Sequence, residues 1–270
     1  MRYFDFHTHA FTDELAQRAL SGLAKTSGIS PATDGTVDGL RRKLAENGIE
    51  RAMLLPVATK PSQQATINKW AASVKGGGLY CCGTVHPDAE DALDEVERIK
   101  SLGLCGVKFH SEYQKFCPDE ERMFPIYEKI AELGLLAVFH GGWDPYSEDI
   151  IRATPQSFAA VAENFPKLKI IAAHLGGMKL WNDIEKYTAG RYDNLWFDVS
   201  VIARYIEDEQ LFRIIRMQGA DKVLFGSDCP WDDPANEIAM IERLPLTDSE
   251  KELIFHKNAE ELMYPYISSP

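Results

Sequence analysis

The chain has 270 residues, of which 45% are apolar and 26% are charged, an ordinary composition for a globular protein with a core of normal size. Its formal net charge of −12 is spread along the chain, so the basic footprint of a nucleic-acid-binding protein is missing. No apolar run approaches the length of a membrane span, which argues against a membrane protein.

The cysteines and the N-terminal residues both indicate a reducing compartment. The number of cysteines is odd, two are adjacent and no CxxC pair occurs, which makes a poor disulfide framework. Residues 1–7 are too polar and too short for the apolar region of a signal peptide. We therefore expect a cytoplasmic protein.

Short apolar segments alternate with helical patterns, which favours βα units and a parallel sheet. Most of the candidate strands are nearly continuous in apolar residues, as expected for strands that are buried on both faces. In chain order the eight candidates are Arg2–His7, Arg51–Leu55, Leu79–Val85, Leu104–Phe109, Leu135–Phe139, Lys169–Ala173, Leu195–Val199 and Lys222–Phe225.

Helical patterns separate several of these strands. One runs from Pro87 to Leu102, a second spans Asp119–Leu133, and Thr247-Asp248-Ser249-Glu250 forms a capping box before a C-terminal helix. Since a (β/α)8 barrel needs about 250 residues, we predict an α/β fold with one TIM-type (β/α)8 barrel domain over residues 1–270. An open doubly wound sheet is the rival fold, but no glycine-rich phosphate loop follows the first strand.

Polar side chains follow the predicted strands at their C-terminal ends, where barrel enzymes place their catalytic groups. Histidine, lysine or aspartate occupies five of the eight ends. These residues are His7 and His9 after the first strand, Lys108 and His110 after the fourth, His140 after the fifth, His174 after the sixth and Asp228 after the eighth. The repetition predicts an active site at this end of the barrel.

The segment His7-Thr8-His9 indicates a metal site. Residues at i and i+2 of a strand face the same side, so two imidazoles can converge on one ion at about 2.0–2.1 Å, the usual zinc–nitrogen distance. Two ordinary histidines near an N-terminus are the alternative, and His140 and Asp228 at matching strand ends argue against it.

The residues around the other candidates favour the same interpretation. His140 precedes Gly141-Gly142, and glycines allow a backbone to approach a ligand closely. His174 lies in a similar context, although either histidine could instead be a hydrogen-bonded core residue. Asp228 is followed by a proline-containing loop, where a turn-forming aspartate is a common alternative.

Short motifs recur from the first strand to the eighth. They are DFHTH at 5–9, GVKFH at 106–110, VFHGG at 138–142, AAHLGG at 172–177, DVS at 198–200 and FGSDCP at 225–230. With these motifs the chain resembles the amidohydrolase superfamily over almost its whole length. It is most similar to the amidohydrolase-related (amidohydrolase 2) branch, which includes metal-dependent hydrolases and the aminocarboxymuconate-semialdehyde and resorcylate decarboxylases.

The resemblance implies a distorted (β/α)8 barrel that binds a divalent metal, most often zinc and in this branch usually one ion per chain. The implied ligands are His7, His9, His140 and Asp228. His174 would be a further ligand in a binuclear site, or would orient substrate and water in a mononuclear one.

Lys108 and His110 are assigned to substrate binding. Some superfamily members bridge two metals with a carbamylated lysine near the position of Lys108; the alternative is an ammonium that binds a substrate carboxylate. Family members often carry His-Pro after this strand, where this chain has His110-Ser111.

Loop residues at the same end complete the predicted pocket. Trp143, Tyr146 and Trp231 could stack on a substrate ring or merely cover the barrel mouth. Arg204 could meet an acidic group of the substrate, with a solvent-exposed arginine at a helix start as the alternative.

Two reactions fit these residues. The predicted reaction is hydrolysis, in which a zinc-activated water attacks an amide, ester or lactone carbonyl, Asp228 transfers the proton and His174 orients the substrate. The alternative is non-oxidative decarboxylation of an aromatic or enol carboxylic acid, with Lys108 or Arg204 binding the carboxylate. A non-catalytic metal-binding protein is a third possibility, and it leaves the strand-six histidine unexplained. We expect a small-molecule substrate and no nucleic-acid or membrane partner, and the candidate assembly is a homodimer, which is common on this fold.

Overall fold

The computed structural model describes residues 1–145, 147 and 150–267, without the side chains of Leu23 and Ser27. Its strands form one parallel barrel of eight strands, the third of which is interrupted at Cys82. The strands are β1 (Phe4–Thr8), β2 (Arg51–Leu54), β3 (Leu79–Cys81), β4 (Gly83–Thr84), β5 (Gly106–Phe109), β6 (Leu136–Phe139), β7 (Lys169–Ala172), β8 (Leu195–Asp198) and β9 (Val223–Leu224).

The barrel closes between its last strand and its first. Strands β1 to β3 and strands β4 to β9 pair in chain order, and Cys82 links the two groups. The Phe6 N–H donates to the Phe225 carbonyl at 2.8 Å, and Thr8 and Cys229 form a parallel bridge. The prediction of a TIM-type barrel is confirmed, and each predicted strand contains its observed counterpart to within one residue.

Helices surround the barrel. They are α1 (Asp13–Ser27), α2 (Val37–Glu46), α3 (Gln64–Val74), α4 (Ala92–Ser101), α5 (Ser111–Gln114), α6 (Phe124–Glu132), α7 (Pro155–Asn164), α8 (Trp181–Tyr187), α9 (Asp208–Gln218), α10 (Pro234–Glu242), α11 (Asp248–Glu252) and α12 (Asn258–Ile267). The described residues also form three 3-10 turns and a π-helical segment, which are Pro61–Gln63, Glu121–Met123, Ala220–Lys222 and Leu253–Lys257.

The predicted helix boundaries hold in part. The first predicted helix begins at Ala92 rather than near Pro87, and the second begins with the 3-10 turn that precedes α6. The capping box is confirmed, because the Thr247 hydroxyl accepts from the Glu250 N–H at 3.3 Å and the Glu250 carboxylate accepts from the Thr247 N–H at 2.8 Å. Helix α1 is absent from the sequence-based prediction.

Apolar side chains fill two layers. Alternate residues such as Ala137 and Phe139 of β6 pack outwards against the helices, whereas Leu136 and Val138 pack inside the barrel. Leu262 and Met263 of α12 belong to the inner layer, so this helix closes the barrel at its N-terminal end. The opposite end therefore remains available for a site.

The cysteines and the helices bear on two expectations from the sequence, namely that the chain has no disulfide framework and does not span a membrane. All five cysteines are free thiols. In the described part of the chain, no helix combines the length and the apolarity needed to cross a membrane.

Candidate metal centre and active site

Three potential ligand atoms converge at the C-terminal rim of the barrel. Nε2 of His7 lies 3.2 Å from Nε2 of His9, and Oδ1 of Asp228 lies 3.3 and 3.0 Å from these two nitrogens. His7 belongs to strand β1 and His9 follows the end of that strand, whereas the segment after β9 supplies Asp228, whose N–H donates to the His7 carbonyl at 2.8 Å. Backbone pairing therefore holds the three side chains together.

The second nitrogen of each imidazole has an acceptor that fixes its tautomer. Nδ1 of His7 donates to Oδ2 of Asp198 at 2.8 Å, and Nδ1 of His9 donates to the Leu55 carbonyl at 2.8 Å. A carboxylate and a carbonyl can only accept, so each Nδ1 carries the proton and each Nε2 directs a lone pair into the cluster.

A divalent cation fits this arrangement. Two nitrogen lone pairs and a carboxylate oxygen repel one another unless a cation lies between them. Donor atoms about 2.0–2.1 Å from a tetrahedral zinc are roughly 3.4 Å apart, and the three separations here are 3.2, 3.3 and 3.0 Å. Burial, together with the Lys108 ammonium, lowers the pKa of His7 to about 4, so this imidazole is neutral and able to bind a metal at neutral pH.

His140, the fourth predicted ligand, is linked to this cluster through His174. Nδ1 of His174 lies 3.0 Å from the Ser200 carbonyl and donates to it, so its Nε2 accepts from Nδ1 of His140 at 3.0 Å. Nε2 of His140 is then a lone-pair acceptor, and it is buried with no hydrogen-bond partner among the described residues. An unpartnered buried nitrogen of this kind is suited to a metal ion.

The structure nevertheless places His140 in a second group of potential ligands. Atoms of His110, His140 and Asp144 lie within 4.8 Å of one another. The His110 ring stacks between Tyr113 and His140, at centroid distances of 3.5 and 4.2 Å. Nδ1 of His110 lies 3.9 Å from Oε2 of Glu112, too far for a hydrogen bond. The ligand set of four residues therefore stays a prediction.

Lys108 lies at the inner end of the same site. It belongs to β5 and is buried, and its Nζ is 3.2 Å from Nε2 of His7. Burial lowers the pKa of the Lys108 ammonium to about 8, although Asp198 and Asp228 act in the opposite direction. This position suits either an ammonium that binds a carboxylate or a lysine beside a second metal.

The electrostatic environment keeps Asp228 ionised. The pKa of the Asp228 carboxyl lies below its usual range, although burial by itself would raise it. Asp228 and His174 also have left-handed backbones, with φ of 64° and 60°. Such conformations persist in residues other than glycine only where the surroundings impose them, and they concentrate at functional sites.

A cavity of about 650 Å³ opens above these residues, which is a typical size for a small-molecule site. His7, His9, His140, Asp228, Lys108, His110 and His174 all line it. Trp143 and Trp231 line it as well, as predicted, and Nζ of Lys179 lies 3.2 Å from the centroid of the Trp143 ring.

One predicted pocket residue is not brought to the site. Arg204 does not line the cavity, and its guanidinium pairs with the Asp232 carboxylate at 2.6 and 3.1 Å. Because that charge is already compensated, the structure gives no support to Arg204 as a substrate ligand. Tyr146 lies outside the described residues.

The glycines after His140 have a different role from the one expected. A Cβ on Gly142 would lie 2.2 Å from the Met178 nitrogen, and a Cβ on Gly141 would lie 2.8 Å from the Ala173 carbonyl oxygen. The absence of side chains therefore allows the loop after β6 to approach the loop after β7. The structure thus explains these two glycines by the packing of two loops against each other and not by the approach of a ligand.

Asp198 and Ser200 are functional candidates to which the sequence analysis assigned no role. Asp198 accepts from Nδ1 of His7 and from the backbone N–H groups of His174 and Ser200, at 2.8, 3.0 and 3.1 Å. Asp198 is the last residue of β8, so the rule that singled out polar strand ends would have identified it. The role of the Ser200 carbonyl has no sequence signal, because any residue has one.

Comparison with known proteins agrees with the barrel fold. A family model described as amidohydrolase matches residues 4–263. The chain therefore belongs to the amidohydrolase family, in the amidohydrolase 2 branch that its motifs resemble.

One relative is a 2-amino-3-carboxymuconate-6-semialdehyde decarboxylase from Dictyostelium discoideum, 24% identical over 214 residues. The match spans 64% of this chain and 57% of that protein, so this chain covers little more than half of the relative's length.

Two solved structures show the same fold. An uncharacterized TIM-barrel protein from Bordetella bronchiseptica has a TM-score of 0.82 and 19% identity, over 98% of this chain and 99% of that chain. A dihydroxybenzoic acid decarboxylase from Polaromonas sp. JS666, with bound manganese and the inhibitor 2-nitroresorcinol, has a TM-score of 0.71 and 19% identity, over 97% of each chain.

The convergence of His7, His9 and Asp228 predicts about one divalent ion per chain, the number that a single site of this kind holds. His9→Ala should lose this ion while far-ultraviolet circular dichroism stays unchanged, because the barrel core does not depend on the ion. Elemental analysis of the purified proteins measures the metal content, and circular dichroism measures the retained fold. His256→Ala, which changes a histidine outside the cavity lining, is the control. Two ions per wild-type chain would contradict the single-site assignment.

The bond between Asp198 and His7 predicts a positioning role for the carboxylate. Asp198→Asn should weaken metal binding by about 10–100-fold, the usual effect of removing a partner that orients a ligating histidine. Competition with a chromogenic chelator gives the affinity, and Asp193→Asn, the same change at an exposed residue, is the matched control. Unchanged affinity in Asp198→Asn would show that His7 does not depend on this bond.

Proposed function

We propose that this protein is a metal-dependent decarboxylase that removes a carboxyl group, without oxidation, from an aromatic or enol carboxylic acid. The observation that carries the proposal is the buried ammonium of Lys108, which lines the cavity 3.2 Å from a predicted metal ligand. A cation at this place matches a substrate carboxylate through a charge-assisted hydrogen bond. A neutral amide, ester or lactone offers that cation no opposite charge.

The comparisons support the same choice. The Dictyostelium discoideum relative and the Polaromonas structure both carry the name of a decarboxylase. Hydrolysis, the reaction predicted from the sequence, receives less support, and decarboxylation is now the leading hypothesis.

The aromatic side chains of the cavity suit a flat substrate. Trp143 and Trp231 line the cavity together with Tyr113 and Tyr205. Rings of this kind pack against a conjugated acid by stacking or edge contacts and exclude water from it. Lys108 then holds the reacting carboxylate at the inner end of the cavity.

We assign the metal to His7, His9, His140 and Asp228, whose nitrogen and oxygen donors suit zinc or manganese. When bound, the ion supplies a Lewis acid that stabilises negative charge on the substrate. We expect one ion per chain.

The reaction requires one proton at the carbon that loses CO2. Asp228 is ionised and lines the cavity, so we assign it the transfer of a proton from the substrate hydroxyl to that carbon. The carbon–carbon bond then breaks, CO2 leaves, and the electron pair returns to the ring or enol. His174, which is fixed by the Ser200 carbonyl and by His140, orients the substrate.

Hydrolysis of an amide, ester or lactone remains the second candidate. The cluster of His7, His9 and Asp228, with His174 nearby, also suits the activation of a water for attack on a carbonyl. This reaction needs no carboxylate on its substrate, so the two candidates differ in the substrates that they accept.

A panel of substrates tests the proposal. Metal-loaded protein should release CO2 from at least one hydroxybenzoic or enol carboxylic acid and should leave matched lactones, esters and anilides intact. In D2O the product should carry one deuterium at the vacated carbon, which mass spectrometry detects. Turnover of lactones or amides with no CO2 from any acid would establish hydrolysis instead.

Asp228→Asn separates proton transfer from metal binding. The amide keeps an oxygen for coordination but is a far weaker base, so the variant should retain some metal and lose about 10²–10⁴ in turnover. The rate of CO2 release per bound ion is the measurement, with Asp193→Asn as the control for loss of one carboxylate. Near-wild-type turnover per ion would exclude Asp228 as the proton carrier and make His174 the candidate.

A further inference from the structure

The cavity is lined by two regions of different chemistry. Its inner end carries the histidines, Lys108 and Asp228 of the proposed metal centre. The second region is built by helix α1 and the residues on either side of it, by the segment after β2 and by helix α3, which follow the paired strands β1 and β2. The large apolar side chains of this second region include Phe11, Leu15, Ile29, Val57, Ile67 and Trp70. We call these six residues the apolar wall.

The apolar wall leaves hydrophobic surface uncovered. Leu15 keeps 42% of its surface accessible, and the other five residues are partly exposed. Neighbouring polar groups are bonded to each other, since Oε1 of Gln63 accepts from the hydroxyl and the N–H of Thr59 at 3.1 and 3.0 Å. Arg18 of α1 is exposed, so its guanidinium can stay in water while its aliphatic stem lies on the wall. The wall therefore suits an apolar group, whose burial is favourable in proportion to the area covered.

Gly22 leaves additional space beside the apolar wall. It lies inside α1, three residues after Ala19, and both residues line the cavity. Apart from its chain neighbours and its own helix backbone, a Cβ at Gly22 would meet no atom within 4 Å among the described residues. Its φ is not in the left-handed region, so neither packing nor backbone conformation requires a glycine here. Glycine is a poor helix former, and its effect at this position is to leave room for a ligand.

The cavity is larger than a one-ring acid requires. Since one water molecule takes up about 30 Å³ of the liquid, a volume of about 650 Å³ holds roughly 20 non-hydrogen atoms, about twice as many as a hydroxybenzoic acid has. When the carboxylate of such an acid lies at Lys108, about half of the cavity therefore remains. The apolar wall and Gly22 border this remaining space.

We propose that the substrate acid carries an apolar substituent, an alkyl chain or a second ring, that lies along the apolar wall and against Gly22. This inference rests on the proposed decarboxylase function. The carboxylate at Lys108 leaves as CO2, a proton replaces it, and the substituent stays unchanged on the product. Gly22 is then a specificity-determining residue, because the size of the side chain at this position sets the room for the substituent.

Equilibrium binding of unreactive acids tests the proposal without turnover. Benzoate, 3-butylbenzoate, 4-butylbenzoate and biphenyl-4-carboxylate share one carboxylate and differ in their apolar group. Metal-loaded wild-type protein should bind at least one substituted acid about 10–100-fold more tightly than benzoate, because each buried methylene contributes up to about fourfold in affinity. Isothermal titration calorimetry measures each affinity. Tighter binding of a butyl acid would indicate a chain, and tighter binding of the biphenyl acid a second ring.

Gly22→Leu places a side chain in the space that the substituent would occupy. The variant should reduce the preference for the substituted acid over benzoate by about tenfold. Its thermal stability should not fall, because leucine is the better helix former, so weaker binding could not be attributed to unfolding. Ser21→Leu is the matched control, since it adds the same side chain to an exposed neighbour on α1 that does not line the cavity, and it should change no affinity.

Substituted acids that bind no more tightly than benzoate, or no binding of any acid, would overturn the proposal. A preference that Gly22→Leu does not reduce, or that Ser21→Leu reduces equally, would also overturn it. Release of CO2 from one-ring acids together with any of these results would retain decarboxylation and reject the apolar substituent. A preference that is lost in Gly22→Leu, in a protein that releases no CO2 from any acid, would retain the apolar substituent and reject decarboxylation.

Discussion

Backbone pairing between the first and the last barrel strands holds the proposed metal centre together. The Phe6 N–H donates to the Phe225 carbonyl at 2.8 Å, the His7 carbonyl accepts from the Asp228 N–H at 2.8 Å, and the His9 N–H donates to the Cys229 carbonyl at 2.7 Å. These bonds close the barrel, and the same bonds align a carboxylate with two imidazoles. The hydrogen bonds that close the barrel therefore also bring the proposed metal ligands together.

A β-bulge in β1 adjusts this alignment. The pairing register between β1 and β2 shifts between Asp5 and Thr8, and a bulge interrupts the strict alternation of side chains. Phe6 consequently packs in the inner apolar layer, while the adjacent His7 joins the metal cluster. The two consecutive residues thereby serve the core and the site respectively.

The end of β8 orients two imidazoles of the site. Burial would raise the pKa of the Asp198 carboxyl, but the hydrogen bonds that it accepts from Nδ1 of His7 and from the Ser200 hydroxyl lower it, so the group is a carboxylate. The Ser200 carbonyl, two residues further on, fixes His174 and through it the tautomer of His140. Bonds of this kind determine which nitrogen of each ring is free to bind a metal or a substrate.

The sequence by itself determined the barrel, the rim that carries the site and the histidines, Lys108 and Asp228 that line the cavity. Buried parallel strands are short continuous apolar runs, and a histidine, lysine or aspartate at the end of such a run is visible without coordinates. Only the tertiary structure decided that Arg204 is paired with Asp232. Only the tertiary structure showed that Gly141 and Gly142 separate two loops, and that helix α1 brings Arg18 to the cavity. The physical reason is that these three features depend on which loops and helices meet above the barrel. Contacts between residues that are distant in the sequence leave no periodic pattern in the sequence.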